Sequence, residues 1–266
     1  QIEDAFWRSQ AYRAIALALL QAGQAAQAQE VFQQALAAAE QIEDADERSG
    51  AYREVALALV QAEQAAQAQE AFQQALAAAG QIEDAFRRSE VYREVALALL
   101  QAGQAAQAQE AFTKALAAAE QIEDANKRSE AYHEVALALL QAGQAAQAQE
   151  VFTKALAAAE QIEDAFSRSE AYWEIALALL QAGQTAQALA VAGQIEDAFW
   201  RLWAYRDVAR ALARAGQAEE ALAVAEQIED ADERSWAYAK VALALLQAGQ
   251  AAQAQEAFQQ ALAAAG

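Results

Sequence analysis

The sequence predicts an all-α protein made by repeating one helical hairpin. Three observations carry that prediction. First, the tetrad Gln-Ile-Glu-Asp recurs along the 266 residues and divides them into seven copies, 1–40, 41–80, 81–120, 121–160, 161–193, 194–226 and 227–266. Second, apolar residues within a copy fall at helical spacing: Tyr12, Ile15, Ala16 and Leu19 stand at i, i+3, i+4 and i+7, one stripe of a helix. Third, alanine, leucine, glutamine and glutamate dominate, all strong helix formers, while strand-like alternation is absent and the chain holds no proline.

Each copy justifies its elements in order. The first helix runs to Gly23, because glycine takes the left-handed conformation that ends a helix without a Cβ penalty. A turn this short forces the second helix to return antiparallel. Ala25, Ala28, Phe32, Ala35, Leu36 and Ala39 form its apolar face; the alanines allow close approach and Phe32 fills the volume they leave. Glu63 replaces the turn glycine in the second copy, which predicts a less comfortable turn there. Between hairpins, Asp44 suits an N-cap and Glu47 gives a capping-box spacing, repeated by Asp230 and Glu233. Ile42 stands just ahead of the cap, where it can staple onto the new helix. Asp4 and Arg8, spaced i, i+4 with the acid first, recur in every copy, as in Asp164–Arg168 and Asp197–Arg201. Their constancy predicts a structural ion pair worth a few tenths of a kcal/mol. Two copies have 33 residues instead of 40, losing the phenylalanine segment of the second helix. Seven residues are close to two helical turns, so the same fold with a shorter second helix is expected.

The pattern Tyr12-x2-Ile15-Ala16-x2-Leu19 followed by Ala28-x3-Phe32 resembles the tetratricopeptide repeat, in which Trp-x2-Leu-Gly-x2-Tyr is followed by Ala-x3-Phe. The proline that closes the family pattern is missing, and the Gln-Ile-Glu-Asp segment runs in its place. The resemblance covers the whole chain. It implies one repeat domain over 1–266, a right-handed superhelical α-solenoid of seven antiparallel hairpins whose first helices line a concave groove. It also implies a non-enzymatic scaffold that binds a protein or peptide in that groove. The near-identity of the copies is that of a consensus, designed or recently duplicated array.

A net charge of -20 and a pI near 4.4 exclude nucleic acid as a partner and disfavour anionic membrane surfaces, while keeping a chain of many helices soluble. Without cysteine there is no disulfide and no thiolate zinc site, and no apolar run reaches the roughly 18–20 residues of a membrane span. The chain starts at Gln1 with neither methionine nor a signal-peptide pattern, as does a processed piece, an excised one, or a chain whose start is not included. Phosphate loops, nucleotide fingerprints and nucleophile constellations are absent, so no catalytic residue, cofactor or metal ligand is expected. Lone His133 reads as a solvated surface histidine, and Glu130 with Glu134 as an ordinary charged helix face.

Where copies differ on the groove face, a partner can be read. Arg13, Arg53 and Arg93 give way to His133, Trp173, Arg206 and Ala239, and Gln10, Gly50, Glu90, Glu130 and Glu170 give way to Trp203 and Trp236. Arg206, Arg210 and Arg214 form a basic stripe at i, i+4 and i+8, and Lys240 adds a cation. Two readings stand side by side. In one, Trp173, Trp203, Arg206, Arg210, Arg214, Trp236 and Lys240 bind a peptide, since arginine forks carboxylates and both residue types are enriched in interface hot spots. Tetratricopeptide domains that hold C-terminal carboxylates use cations on this face, although no asparagine stands near the stripe to complete such a clamp. In the other, the aromatics fill space left by the shortened second helices and the arginines pair with Asp207, Glu219 and Glu220. Phe6-Trp7 and Phe199-Trp200 open their helices as packing between neighbouring hairpins. A separate reading concerns the ends. Val241, Leu245, Phe258 and Leu262 of the last copy belong to stripes buried internally, which predicts head-to-tail association into a ring or filament.

Overall fold

Seven aspartates start the first helices, each in extended conformation with its carboxylate accepting from a backbone N–H of the first turn; Asp44, for example, accepts from Glu47 N at 2.9 Å. The same cap forms where Trp7, Arg87, Lys127 or Ser167 replaces the glutamate, so the aspartate alone is sufficient. The computed structural model describes residues 2–266, and every element among them is a helix. First and second helices alternate: α1 Ala5–Gln21, α2 Ala25–Glu40, α3 Ala45–Gln61, α4 Ala65–Ala79, α5 Ala85–Gln101, α6 Ala105–Ala119, α7 Ala125–Gln141, α8 Ala145–Ala159, α9 Ala165–Gln181, α10 Thr185–Ala192, α11 Ala198–Arg214, α12 Ala218–Glu226, α13 Ala231–Gln247 and α14 Ala251–Ala265. They form two compact units, one up to Ala148 and one from Gln149 to Gly266.

The turn inside each hairpin is left-handed. Gly23 has φ 73°, and Glu63 is forced to φ 58° at the matching place, the strain expected of a side chain in that region. The core between the helices is alanine-rich: Ala28, Ala35 and Ala39 are fully buried around Phe32, a pattern repeated around Phe72, Phe112 and Phe152. Ile42, Ile82, Ile122, Ile162, Ile195 and Ile228 are buried ahead of their caps.

The i, i+4 aspartate–arginine pair is corrected. The arginine instead closes the inter-repeat turn: Arg48 Nη1 donates to the carbonyls of Ile42 (2.5 Å) and Glu43 (3.0 Å), and its Nη2 donates to Gln81 Oε1 of the next copy at 2.6 Å. Arg8 and Arg88 repeat the arrangement with Gln41 and Gln121. One guanidinium thus satisfies carbonyls that no helix uses and ties two copies together, which a fork of five donors can do and a single ion pair cannot.

The short copies keep the hairpin with a second helix of 8 (α10) or 9 (α12) residues, against 15 or 16 elsewhere. The change is felt one turn away. In long copies the buried Ser49 hydroxyl donates to Ala75 O near the end of the second helix at 2.9 Å; in the fifth copy Ser169 Oγ instead accepts from Asp197 N at 3.1 Å. Likewise Arg168 and Arg201 reach Glu196 and Glu229 instead of a glutamine.

Of the residues expected to be uncovered in the last copy, Val241 and Leu245 are buried at 1% and 0%, because α13 packs them against the preceding copy, whereas Ile15 of the first copy, which matches Val241, is 49% exposed; only Phe258 (37% exposed) and Leu262 (75%) are open.

Candidate functional site

On the first-helix face of the first unit, the variable position carries a cation that is already paired. Arg13 lies 3.2 Å from Glu54, Arg53 is paired with Glu94, and Arg93 lies 3.6 Å from Glu134. Each link joins one copy to the next. His133 ends the series. It is 8% exposed, not a solvated surface residue, with Nε2 3.5 Å from Glu134. The His133 ring beside it, joined by the Arg93 charge, holds the Glu134 carboxyl below its ordinary range; burial pushes Glu130 up. The two glutamates are therefore not equivalent, as an ordinary charged face would make them.

The second unit builds the same face from aromatic rings. Arg206 lies between two indoles, its guanidinium carbon 4.0 Å from the Trp203 ring centroid and 4.1 Å from that of Trp236. Lys240 Nζ sits 4.7 Å from the Trp236 centroid, and Trp236 remains 43% exposed. Local spacing explains half of this: Trp203 and Arg206 stand at i, i+3 on α11, one turn apart on one face. Packing of α13 against α11 supplies the second indole. Burial disfavours the charged form and lowers the Arg206 pKa. Among the described residues no oxygen accepts a hydrogen bond from Arg206, and none of the ion pairs includes it.

The remaining predicted residues divide. Trp173 does not join the sandwich; it stacks on Trp200 with centroids 4.9 Å apart and planes at 33°. Trp200 also touches Phe166 (5.6 Å) and Phe199 (5.2 Å), and Phe199 touches Trp203 at 5.9 Å. Trp200 thus connects two copies, as packing predicts, and links Trp173 to the sandwich. The indole N–H groups of Trp173 and Trp200 are buried without an acceptor. Arg210 donates to Asp207 at 2.7 Å; Asp207 is only 9% exposed, so this arginine neutralises a buried carboxylate. Arg214 lies exposed in the last turn of α11, where a cation faces the negative end of the helix dipole. Sequence reasoning placed Trp200 in packing and missed its link to Trp173. The available signal was the run Phe199, Trp200, Trp203, which puts three rings within two turns.

Phe199 also borders an open cleft of about 470 Å³, with Leu202, Tyr205 and Ile228 as apolar walls and Asp230 and Glu233 at its rim. No helix of the described residues is long and apolar enough to cross a membrane, and none of their acidic or histidine side chains cluster as a metal site.

This arrangement is a helical repeat array of the kind that presents side chains from successive hairpins on one face. Residues 87–161 match the family model of the tetratricopeptide repeat, and the chain is tetratricopeptide-like in its fourteen helices and paired repeats. No curated protein sequence matches it. Among solved structures, a Podospora anserina kinesin-light-chain-type protein with nearly identical tetratricopeptide-like repeats is 25% identical over 69% of this chain and 96% of its own, with a TM-score of 0.43. Ton1535 from Thermococcus onnurineus is 18% identical over 100% and 92%, with a TM-score of 0.41. Pseudomonas aeruginosa PilF is 19% identical over 95% and 97%, with a TM-score of 0.38. The fold is consistent with a protein-interaction scaffold.

Proposed function

We propose that the protein is a non-enzymatic interaction scaffold whose second unit binds an acidic peptide carrying an aromatic side chain. The observation that carries this reading is the Arg206 sandwich. Two π faces hold the cation and restrict its rotamers, yet among the described residues its N–H edges have no acceptor. A ligand carboxylate supplies the acceptors in bidentate geometry, in a half-buried setting where such a pair is stronger than in open water. The cleft beside Phe199 takes the aromatic side chain against Leu202, Tyr205 and Ile228, and the acids at its rim turn away a second carboxylate. Lys240 adds attraction at the edge.

Titration of acidic, aromatic-containing peptides into the chain, followed by tryptophan fluorescence, tests the reading. Binding should quench emission and weaken as salt rises. Arg206→Ala should weaken it at least about tenfold with helicity unchanged. An unbiased peptide library that yields no ligand, or an Arg206→Ala protein that binds as well as the parent, would leave the aromatic cluster as packing alone.

A further inference from the structure

The cleft beside Phe199 lies where one repeat position changes. In the other six copies the ninth residue is a serine. Where it is buried it ties its helix down: Ser49 and Ser89 donate to Ala75 O and Ala115 O at 2.9 Å, and Ser169 accepts from Asp197 N at 3.1 Å. The sixth copy has Leu202 instead, which can neither donate nor accept, and its α12 is only 9 residues long. Tyr205 is half-buried and forms a wall of the cleft, whereas its counterparts Tyr52, Tyr92, Tyr132, Tyr172 and Tyr238 are buried. The change of one tie thus goes with an apolar recess between α11 and the start of α13.

Three carboxylates line this recess, and two are in use. Glu229 accepts from Arg201 at 3.3 Å, and Asp230 caps α13 by accepting from Glu233 N at 2.9 Å. The third, Glu233, is half-buried; among the described residues no donor bonds its carboxylate and no ion pair includes it. It is near enough to Arg206 to act on the charge of that guanidinium, although the two form no ion pair, so the cleft and the sandwich are neighbouring parts of one surface. A half-buried carboxylate beside apolar walls is stabilised by a donor. A phenylalanine side chain in the cleft covers Glu233 and leaves it unpaired. A lysine or arginine meets the Arg206 charge beside it. The phenol of a tyrosine avoids both costs, because its ring packs on Phe199, Leu202 and Ile228 while its neutral hydroxyl donates. A phosphate on that same oxygen removes the donor and brings nearly two negative charges to a recess that already holds three carboxylates.

We propose that the aromatic side chain taken by this cleft is a tyrosine, its hydroxyl donating to the Glu233 carboxylate, and that the phosphorylated form of the same tyrosine is refused. The inference rests on the peptide reading above and names the residue that reading leaves open.

Calorimetric titration with three peptides of one acidic sequence, carrying tyrosine, phenylalanine or phosphotyrosine at the aromatic position, tests it. The tyrosine peptide should bind at least about tenfold more tightly than the phenylalanine peptide, and the phosphotyrosine peptide more weakly than either. Glu233→Ala, with helicity checked by circular dichroism, should bring the tyrosine and phenylalanine peptides within about twofold of each other and recover part of the lost phosphotyrosine binding. Equal affinity of the parent for tyrosine and phenylalanine overturns the proposal, as does a phosphotyrosine peptide that binds most tightly or a folded Glu233→Ala chain that keeps the full preference. In each of those cases, binding that Arg206→Ala still weakens leaves the peptide site standing. If none of the three peptides binds in an Arg206-dependent way, the peptide site falls and the tyrosine with it.

Discussion

In the first unit, the thirteenth residue of the first three copies is an arginine that meets a glutamate of the next copy; in the second, the matching residues are Trp173, Arg206 held between tryptophans, and Ala239. Arg13, Arg53 and Arg93 have carboxylate partners, so their charge is matched within the protein. Arg206 has no such partner, because the residue that would supply it in the following copy is Lys240, and it turns to the Trp236 ring. Asp207 shows the same exchange from the other side. Trp173 stands where its cation would be, and the carboxylate takes Arg210 of its own helix. One position in a repeat can thus either staple neighbouring copies or keep its hydrogen-bonding valence for a ligand, and the residue facing it from the following copy decides which.

The comparison breaks most severely at Trp200. This ring touches Phe166, Trp173 and Phe199, and Trp200→Ala should cost about 3–5 kcal/mol, the range for large aromatic deletions. Hydrogen exchange resolved by helix should show α9 and α11 losing protection while α1 to α6 keep theirs. Uniform or negligible loss would mean that the cluster does not organise the second unit.

The two arginines of α11 should separate next. Arg210→Ala leaves a buried carboxylate alone and should destabilise by about 1–3 kcal/mol, with peptide binding little changed. Arg206→Ala loses only ring contacts, about 0.5–1 kcal/mol each, and should act chiefly on binding. Denaturant melts of both proteins beside the fluorescence titration decide whether the roles are divided this way.

Glu63→Gly should stabilise the first unit by about 1 kcal/mol, because it removes a left-handed side chain and restores the residue that the other turns use. A melting temperature that falls would show that Glu63 makes a compensating contact.

The smallest effect belongs to the ladder. Its side chains are a fifth to two-fifths exposed, so Arg53→Ala should cost no more than about 0.5 kcal/mol and less at high salt. Its pH dependence has a definite sign. Glu134 sits below its ordinary 4.5 because His133 and Arg93 face it, so its contribution is present above that value and lost as pH falls below it. Glu130, raised by burial, opposes the fold when charged and is relieved by acid. Glu134→Gln should therefore flatten the loss of stability between neutral and acid pH, measured by thermal melts; an unchanged slope would mean that the pair is not coupled to folding.

Much of the fold was legible because its causes are local. Asp44 caps a helix three residues away, Gly23 ends one, and Phe32 lies on the stripe that its own spacing defines; the two-turn deletion shortened α10 and α12 as helical geometry requires. The candidate site was legible only as a collection of residue types. That Trp203, Arg206 and Trp236 are unlike their counterparts can be read from aligned copies. That Trp236 closes on Arg206 cannot, because the two stand 30 positions apart and meet only through the packing of α13 on α11.

The sequence by itself determined the helices, their caps, their turns and the pairing into hairpins, since each rests on backbone hydrogen bonds and apolar periodicity within a few turns. The tertiary structure decided where the polar ends go. It gave Arg48 to turn carbonyls and Gln81 instead of Asp44, buried His133, set Trp173 on Trp200, and left Arg206 between two rings. A long flexible side chain reaches several acceptors at similar cost, and only the packing of the neighbouring copy selects among them.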